Sequence, residues 1–491
     1  MRDPQHGLGA HLVGIAALTL LLLWPALWWG GPTIYFDSGS YYEAGGEAMN
    51  FILDRSGLAE LLASGGASAA GPGSGGVAEA PAGVGSGVRS VPYSVYVNLS
   101  IRLFGPAGAV VPMALITAWL LWILLAPIRP VPRFGAGSLV VMASTAPFYA
   151  AQIMPDIQAS WLIAAPLVVM LRGGAPGRAL AWALGIAAMA AVLVHYSHIP
   201  LAMATGGTLS LWFAMRRRWR AALLVHAPLA AALAINVAIS VVIAGVGSTD
   251  APPASRPEAQ EDAPTISLAP GRLPVLLARL LEDGPALRFL SETCPENGFA
   301  ICEVYDRFPE SSTAALWGPD SIRNRATPDQ MRRISEQEMA LALKVLARDP
   351  LGQFGASAAN TAEQLLRFGL EDLRFAHFRQ IGPDEIEIEP VQAPPGMFET
   401  VERVQIGALS LAALGLVFFV LYVPGARGPI TLLVIGLLAN AFVCGALSAP
   451  AGRYQGRVIW MAVATALALT GRFPGWWRVG NGPLRSGAAR L

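Results

Sequence analysis

Asp156-Ile157-Gln158-Ala159-Ser160-Trp161-Leu162-Ile163-Ala164-Ala165-Pro166-Leu167-Val168-Val169-Met170-Leu171-Arg172 places an acid at one end, an arginine at the other and nothing ionisable between. Its large side chains are apolar on every side, the mark of a segment surrounded by hydrocarbon or by other apolar helices rather than by water. The pattern recurs along the chain. Apolar stretches lie at 9–29, 107–126, 136–152, 157–171, 179–195, 199–215, 221–247, 404–423, 429–448 and 458–471. A helix crossing the hydrocarbon layer needs about 20 such residues, so several of these are short. With 54% hydrophobic and 14% charged residues among 491, the composition excludes an ordinary soluble globule. The expected fold is an all-α polytopic membrane protein of about ten transmembrane helices. The first stretch has no small-residue cleavage pattern after it and reads as a retained first span.

Working outward from Arg172, the short loops sort by charge. Arg129 and Arg133, Arg172 and Arg178, Arg216 to Arg218 with Arg220, Arg427 and the tail from Arg472 all fall on one side of a ten-span count that starts at Arg2. The inside-positive rule makes that side cytoplasmic and puts both termini there. The net charge of +1 hides this asymmetry. Three parts follow: residues 1–250, an N-terminal module of seven spans with a first external loop at 30–104; 251–402, an external subdomain; and 403–491, three spans and a tail. Within the first loop, the Gly/Ser/Ala tract near 64–88 has too little apolar surface to fold. The run from Pro92 to Phe104 spaces its aromatic and aliphatic groups for a helix lying along the interface. The subdomain opens on a linker containing Pro252, Pro253, Pro257 and Pro264, and shows helical patterning at 272–281 and 330–347, so a small helical unit hugging the bilayer is expected. Cys294 and Cys302 flank a short turn, and outside a bacterial inner membrane that spacing suits a disulfide, against two unpaired thiols. Cys444, inside a span, reads as packing. No internal repeat, phosphate-binding glycine loop or nucleic-acid signature is present.

The remaining ionisable groups collect on the external side. Asp37 follows the first span among Tyr35, Phe36, Tyr41 and Tyr42, and is either a helix N-cap or a proton acceptor. Asp156 stands in a short turn beside Gln152 as the sole acid of spans three to six. It either caps a helix or holds an acceptor or a divalent cation. His195 and His198, three apart, suit metal binding, phosphate contact, proton shuttling or plain interfacial anchoring; no third histidine or cysteine is placed to complete a zinc site. Arg453-Tyr454-Gln455-Gly456-Arg457 places two arginines where the charge rule disfavours them. They would grip a phosphate or touch anionic lipid.

This order of features resembles the GT-C superfamily of integral-membrane glycosyltransferases, which includes protein O-mannosyltransferases and the aminoarabinose transferase that modifies lipid A. The resemblance rests on Phe36-Asp37-Ser38-Gly39-Ser40-Tyr41-Tyr42-Glu43 after the first span, on Val91-Pro92-Tyr93 to Phe104-Gly105 leading into the second, and on Met154-Pro155-Asp156 after the third. It covers residues 9–250. The chain departs from the family in having Asp37-Ser38 where an Asp-Glu pair is frequent, and in its His195-Tyr196-Ser197-His198 motif. The resemblance implies an inverting transfer of sugar from a polyprenyl-phosphate donor to a lipid, glycan or protein acceptor, with Asp37 as base and Asp156 positioning the acceptor or a metal ion. Topology adds Arg453 and Arg457, with His195 or His198 as alternatives, for the leaving phosphate, and Tyr41, Tyr42, Gln152 and Tyr454 for the pocket wall. The alternatives are a transporter or flippase of a lipid-linked or polar solute, against which the edge-gathered polar groups and missing repeats speak, and another membrane transferase or ligase.

Overall fold

The apolar runs form helices, and where buried polar side chains are available to receive freed backbone groups, those helices break. The computed structural model describes residues 4–56, 90–174, 176–247, 273–373, 376–380 and 386–471. The Gly/Ser/Ala tract, the proline-rich linker and the arginine tail lie outside the described residues.

Among the described residues, four helical stretches are long and apolar enough to cross a membrane: Pro106–Leu124, Trp219–Ile239, Met397–Tyr422 and Pro424–Ala446. Shorter apolar helices occupy Leu8–Leu22, Pro155–Leu171 and Arg178–Val194. On Met397–Tyr422 the residues Leu411, Leu414, Val417 and Leu421 point outward, more than half exposed. Outward apolar stripes of this length have no place in water and suit lipid. The fold is therefore predominantly α-helical and consistent with a membrane protein.

Two expected spans are interrupted. In place of one helix over 136–152, Pro130–Met142 ends in a turn, Ala146–Ala150 adds a short helix, and Pro155–Ser160 is a 3-10 turn leading into Trp161–Leu171. In place of 458–471, Gly452–Ile459 breaks at Trp460 before Met461–Thr470. Broken helices survive in an apolar bundle only if the freed groups find partners. Gln405 supplies one set: its Oε1 accepts from Thr145 N (2.7 Å) and Thr145 Oγ1 (2.8 Å), while its Nε2 donates to Phe368 O (3.1 Å). Asn440 Nδ2 donates to Tyr454 O (2.7 Å), and Gln364 Oε1 accepts from Ala451 N (2.9 Å).

The all-α expectation misses one small sheet. Strands β1 (Thr33–Ile34), β2 (Ala376–Gln380) and β3 (Ile386–Pro390) pair antiparallel in that order, with Thr33 opposite His377. A piece of the loop after the first helices thus joins the chain after the helical subdomain.

That subdomain has its own core of Leu277, Leu281, Leu290, Ile301, Ile334, Leu341 and Val345. Its helices include Val275–Glu282 and Pro328–Arg348, the latter started by a Thr327/Gln330 capping box. Cys294 and Cys302 are joined by a disulfide, with Cα atoms 5.6 Å apart. Helix Pro350–Leu366 links this core to the bundle: Gln353 and Asn360 donate to Asp283 (2.9 and 2.7 Å), and the backbone of Asn360 with the side chain of Gln364 lies against Gly445.

Three neighbouring elements, Pro155–Leu171, His198–Met215 and Arg427–Ala446, pack on one another. Asp156, His198 and Ala446 mark one end; Arg172, Arg216 and Arg427 mark the other.

Replacing Gln405 by Leu keeps the volume but orphans the Thr145 N–H, and each buried unpaired group costs about 1–3 kcal/mol. The expected result is a lowered thermal midpoint for the full chain in micelles; an unchanged midpoint would show that the break at Thr145 does not need this amide.

Candidate functional site

The site begins with backbone hydrogen bonds. Thr33 N donates to Ala151 O (2.9 Å) and Ile153 N donates to Thr33 O (2.9 Å), a parallel bridge that ties the loop after the first helix to the broken segment before Asp156. Ser38 tightens the clamp: its Oγ donates to Ile153 O (2.8 Å) and accepts from Tyr35 N (2.9 Å). Helix Phe36–Ser56 starts at this clamp, so Asp37 lies in its first turn, half-buried. Two acids separated by more than a hundred residues are thereby brought to one end of the bundle.

Asp156 is 3% exposed and its Oδ1 receives Arg457 Nη1 at 2.9 Å. Arg457, 1% exposed, spends Nη2 on Asn440 Oδ1 (3.2 Å), Cys444 Sγ (3.3 Å) and Ser197 Oγ (3.5 Å). Ser197 Oγ in turn lies 2.7 Å from His195 Nδ1. One turn earlier, the Arg453 guanidinium carbon stands 4.3 Å from the centre of the Tyr35 ring and 4.7 Å from that of Tyr454, with Nη2 donating to Tyr454 Oη (3.0 Å). Among the described residues no carboxylate lies within ion-pair distance of Arg453. The Tyr35 phenol feels Arg453, Tyr454, Asp37 and Asp156 together; burial, the largest cause, raises it above its ordinary range against the pull of Arg453, so it remains an O–H donor.

The structure therefore gathers Asp37, Asp156, His195, Arg453, Arg457 and Tyr454, and it shows what surrounds each of the other candidates. Arg457 is a structural partner of Asp156, since its charge is met by that carboxylate. His198 is fully buried with Nδ1 against Ala191 O (2.6 Å), turned into the bundle. Tyr41 stacks edge-on against Tyr93 (centroids 4.8 Å apart), joining helix Phe36–Ser56 to helix Val91–Phe104. Tyr42 offers its carbonyl to Asn98 Nδ2 (2.9 Å) and packs on the core. Gln152 is fully buried, and neither its Oε1 nor its Nε2 has a hydrogen-bond partner. Among the described residues no three His, Cys, Asp or Glu side chains gather to hold a metal ion, and the partner of Asp156 is Arg457.

Several residues escaped the sequence reading. Tyr149 is fully buried with its hydroxyl pressed on the backbone of Gly456, where any Cβ would overlap it, and it feels the charges of Asp156, Arg453 and Arg457. Tyr93 is equally buried and feels Asp156. Asn440 carried a usable signal, an amide inside an otherwise apolar span. Tyr35 and Ser197 stood in the sequence only as neighbours of Asp37 and of the histidines, with no sign of the contacts they make to Arg453 and Arg457.

Unpartnered buried atoms concentrate here: both amide atoms of Gln152, Tyr149 Oη, Asp156 Oδ2, Arg453 Nη1 and Arg457 Nε. Native proteins leave few such groups, and a collection of them marks a place for polar chemistry. Donors outnumber acceptors in this set, and Arg453 is the cation with no counter-charge. The arrangement suits an oxygen-rich anion. The chain matches no protein-family model, no curated protein and no solved structure.

Removing one member of a buried ion pair leaves an uncompensated charge and costs about 3–5 kcal/mol. Arg457→Met and Asp156→Asn are each expected to destabilise the full chain by that order, and the double variant by clearly less than the sum. Additive losses in denaturant unfolding in micelles would show that the two side chains are not coupled.

Proposed function

We propose that this chain is an integral-membrane glycosyltransferase of the GT-C kind, with about ten spans, both termini in the cytoplasm of a bacterial cell and the site on the periplasmic side of the inner membrane. The donor is a polyprenyl-phosphate sugar and the acceptor a lipid, glycan or protein. Asp37 takes the proton of the acceptor hydroxyl or amine as that atom attacks the anomeric carbon. The bond from that carbon to the phosphate oxygen breaks, its electron pair leaves with the phosphate, and the configuration inverts. Arg453 stabilises the charge that collects on the phosphate, the kind of electrostatic help that contributes most to catalysis. The Arg457–Asp156 pair positions Arg453 through the shared helix Gly452–Ile459.

The observation that carries this reading is the bridge between Thr33 and Gln152, because it brings the helix of Asp37 to the one uncompensated arginine of the cluster. Tyr149 and Gln152, with free hydrogen-bonding capacity, supply further contacts to donor oxygens.

Full-length protein in membranes supplied with a polyprenyl-phosphate sugar tests the roles separately. Asp37→Asn is expected to lower turnover by about 10²–10⁴-fold, the range for losing a general base. Arg453→Ala is expected to lower it by about 10²–10³-fold, with Arg453→Lys recovering part. Parent-like thermal midpoints would establish that the variants fold. Full activity of Asp37→Asn would remove the base, and full activity of Arg453→Ala would remove the phosphate contact.

A further inference from the structure

At the end of the bundle opposite the acids, a cavity of about 360 Å³ opens between helix Pro106–Leu124 and helix Trp161–Leu171. Apolar side chains of Ile123, Leu124, Val168 and Leu171 form its walls, Ala126 and Pro127 close one side, and Arg172 stands at its mouth. The four remaining residues of the 3-10 turn and eleven of α-helix separate Asp156 from Arg172. At about 2.0 and 1.5 Å per residue they hold the two ends roughly 25 Å apart, so this cavity is not part of the site above.

Arginines converge on its rim. Arg216 Nη1 donates to Gly173 O (3.2 Å), and its guanidinium carbon lies 4.0 Å over Trp212. Arg218 Nη1 would sit 3.3 Å from a Cβ at Gly174, so it too reaches the turn after Arg172. Arg133, buried, donates to Ala126 O (3.0 Å) and to Ile128 O (2.7 Å), and it feels the charge of Arg172. Arg172, Arg216 and Arg218 are exposed. Among the described residues none of these arginines has a carboxylate within ion-pair distance: Asp156 is the sole acid between residues 104 and 247, and residues 404–471 contain none. Like charges held together by backbone carbonyls repel, and an anion from outside the chain would relieve that repulsion.

We propose that this end of the bundle holds an anionic phospholipid. Arg172 and Arg218, with Arg216 beside them, meet the headgroup phosphate, and one acyl chain lies in the cavity along Ile123, Leu124, Val168 and Leu171. A cationic rim on an apolar cleft takes both halves of such a molecule, whereas free phosphate would use the rim alone. Nothing in this assignment depends on the transferase reading.

The full chain in mixed micelles is titrated with phosphatidylglycerol, phosphatidylcholine or inorganic phosphate, reading thermal midpoint and the lipid retained in native mass spectra. Phosphatidylglycerol is expected to raise the midpoint and remain bound as a discrete copy; phosphatidylcholine and inorganic phosphate are expected to do neither. Arg172→Gln with Arg218→Gln should weaken the phosphatidylglycerol response by about 25-fold, roughly fivefold for each charge. Ile123→Trp, which narrows the cavity from a half-buried position, should weaken it without changing the midpoint in phosphatidylcholine. Equal responses to the two lipids, or an unaffected double arginine variant, would overturn the site. A full response to inorganic phosphate, or an unaffected Ile123→Trp, would overturn the acyl-chain half of the assignment.

Discussion

Arg457 and Asp156 meet at 2.9 Å in the interior of an apolar bundle, and much of the surrounding structure is arranged to make that meeting tolerable. Moving two charges out of water is costly, and their attraction repays the cost only when further hydrogen bonds complete the pair. Asn440 and Cys444 supply those bonds from helix Arg427–Ala446, and Ser197 from the loop that precedes helix His198–Met215. The pair therefore fastens the 3-10 turn at Pro155–Ser160, the helix Arg427–Ala446 and the helix Gly452–Ile459 at one point. Exchanging it for apolar groups would cost less to bury, but it would lose a directional contact that specifies how these pieces dock.

The same economy governs the broken helices. An unbroken span satisfies its own backbone, so an interruption at membrane depth needs a side chain for every group it releases. Gln405 meets Thr145 at the break after Met142, and around the irregular entry to helix Gly452–Ile459 Asn440 meets Tyr454 and Gln364 meets Ala451. These amides lie on one end of the bundle, beside the ion pair and the Thr33–Gln152 bridge. The end that carries irregular backbone is also the end that carries unpartnered polar atoms, because only irregular backbone can turn several side chains from distant segments toward a common point.

How much of this could be read from residue order depends on what each residue interacts with. Spans such as 107–126 and 429–448 were legible because lipid acts on one residue at a time, and a long apolar run answers to it directly. The arginines at one end were legible for the same reason. The break at Thr145 was not, since it depends on Gln405, some 260 positions away. Nor was β1, whose two residues become a strand only through pairing with Ala376–Gln380. Among the site residues, Asp37 and Asp156 stood out as rare acids between apolar segments, whereas Tyr149 and Tyr93 resembled ordinary aromatic packing and acquire their place only from the charges they face.

Arg453 and Arg457 show where spacing alone runs out of information. At i and i+4 on one helix they look equivalent, and both are expected to reach the same ligand. The structure separates them by what lies opposite. Arg457 meets a carboxylate, an amide and a thiol, which consume its charge and fix its position; Arg453 meets two tyrosine rings, which attract a cation through their faces without neutralising it. A guanidinium held in that way keeps both its charge and its orientation for an incoming anion. The division of labour follows from the partners: the buried arginine builds the floor, and its neighbour one turn away retains the capacity to bind.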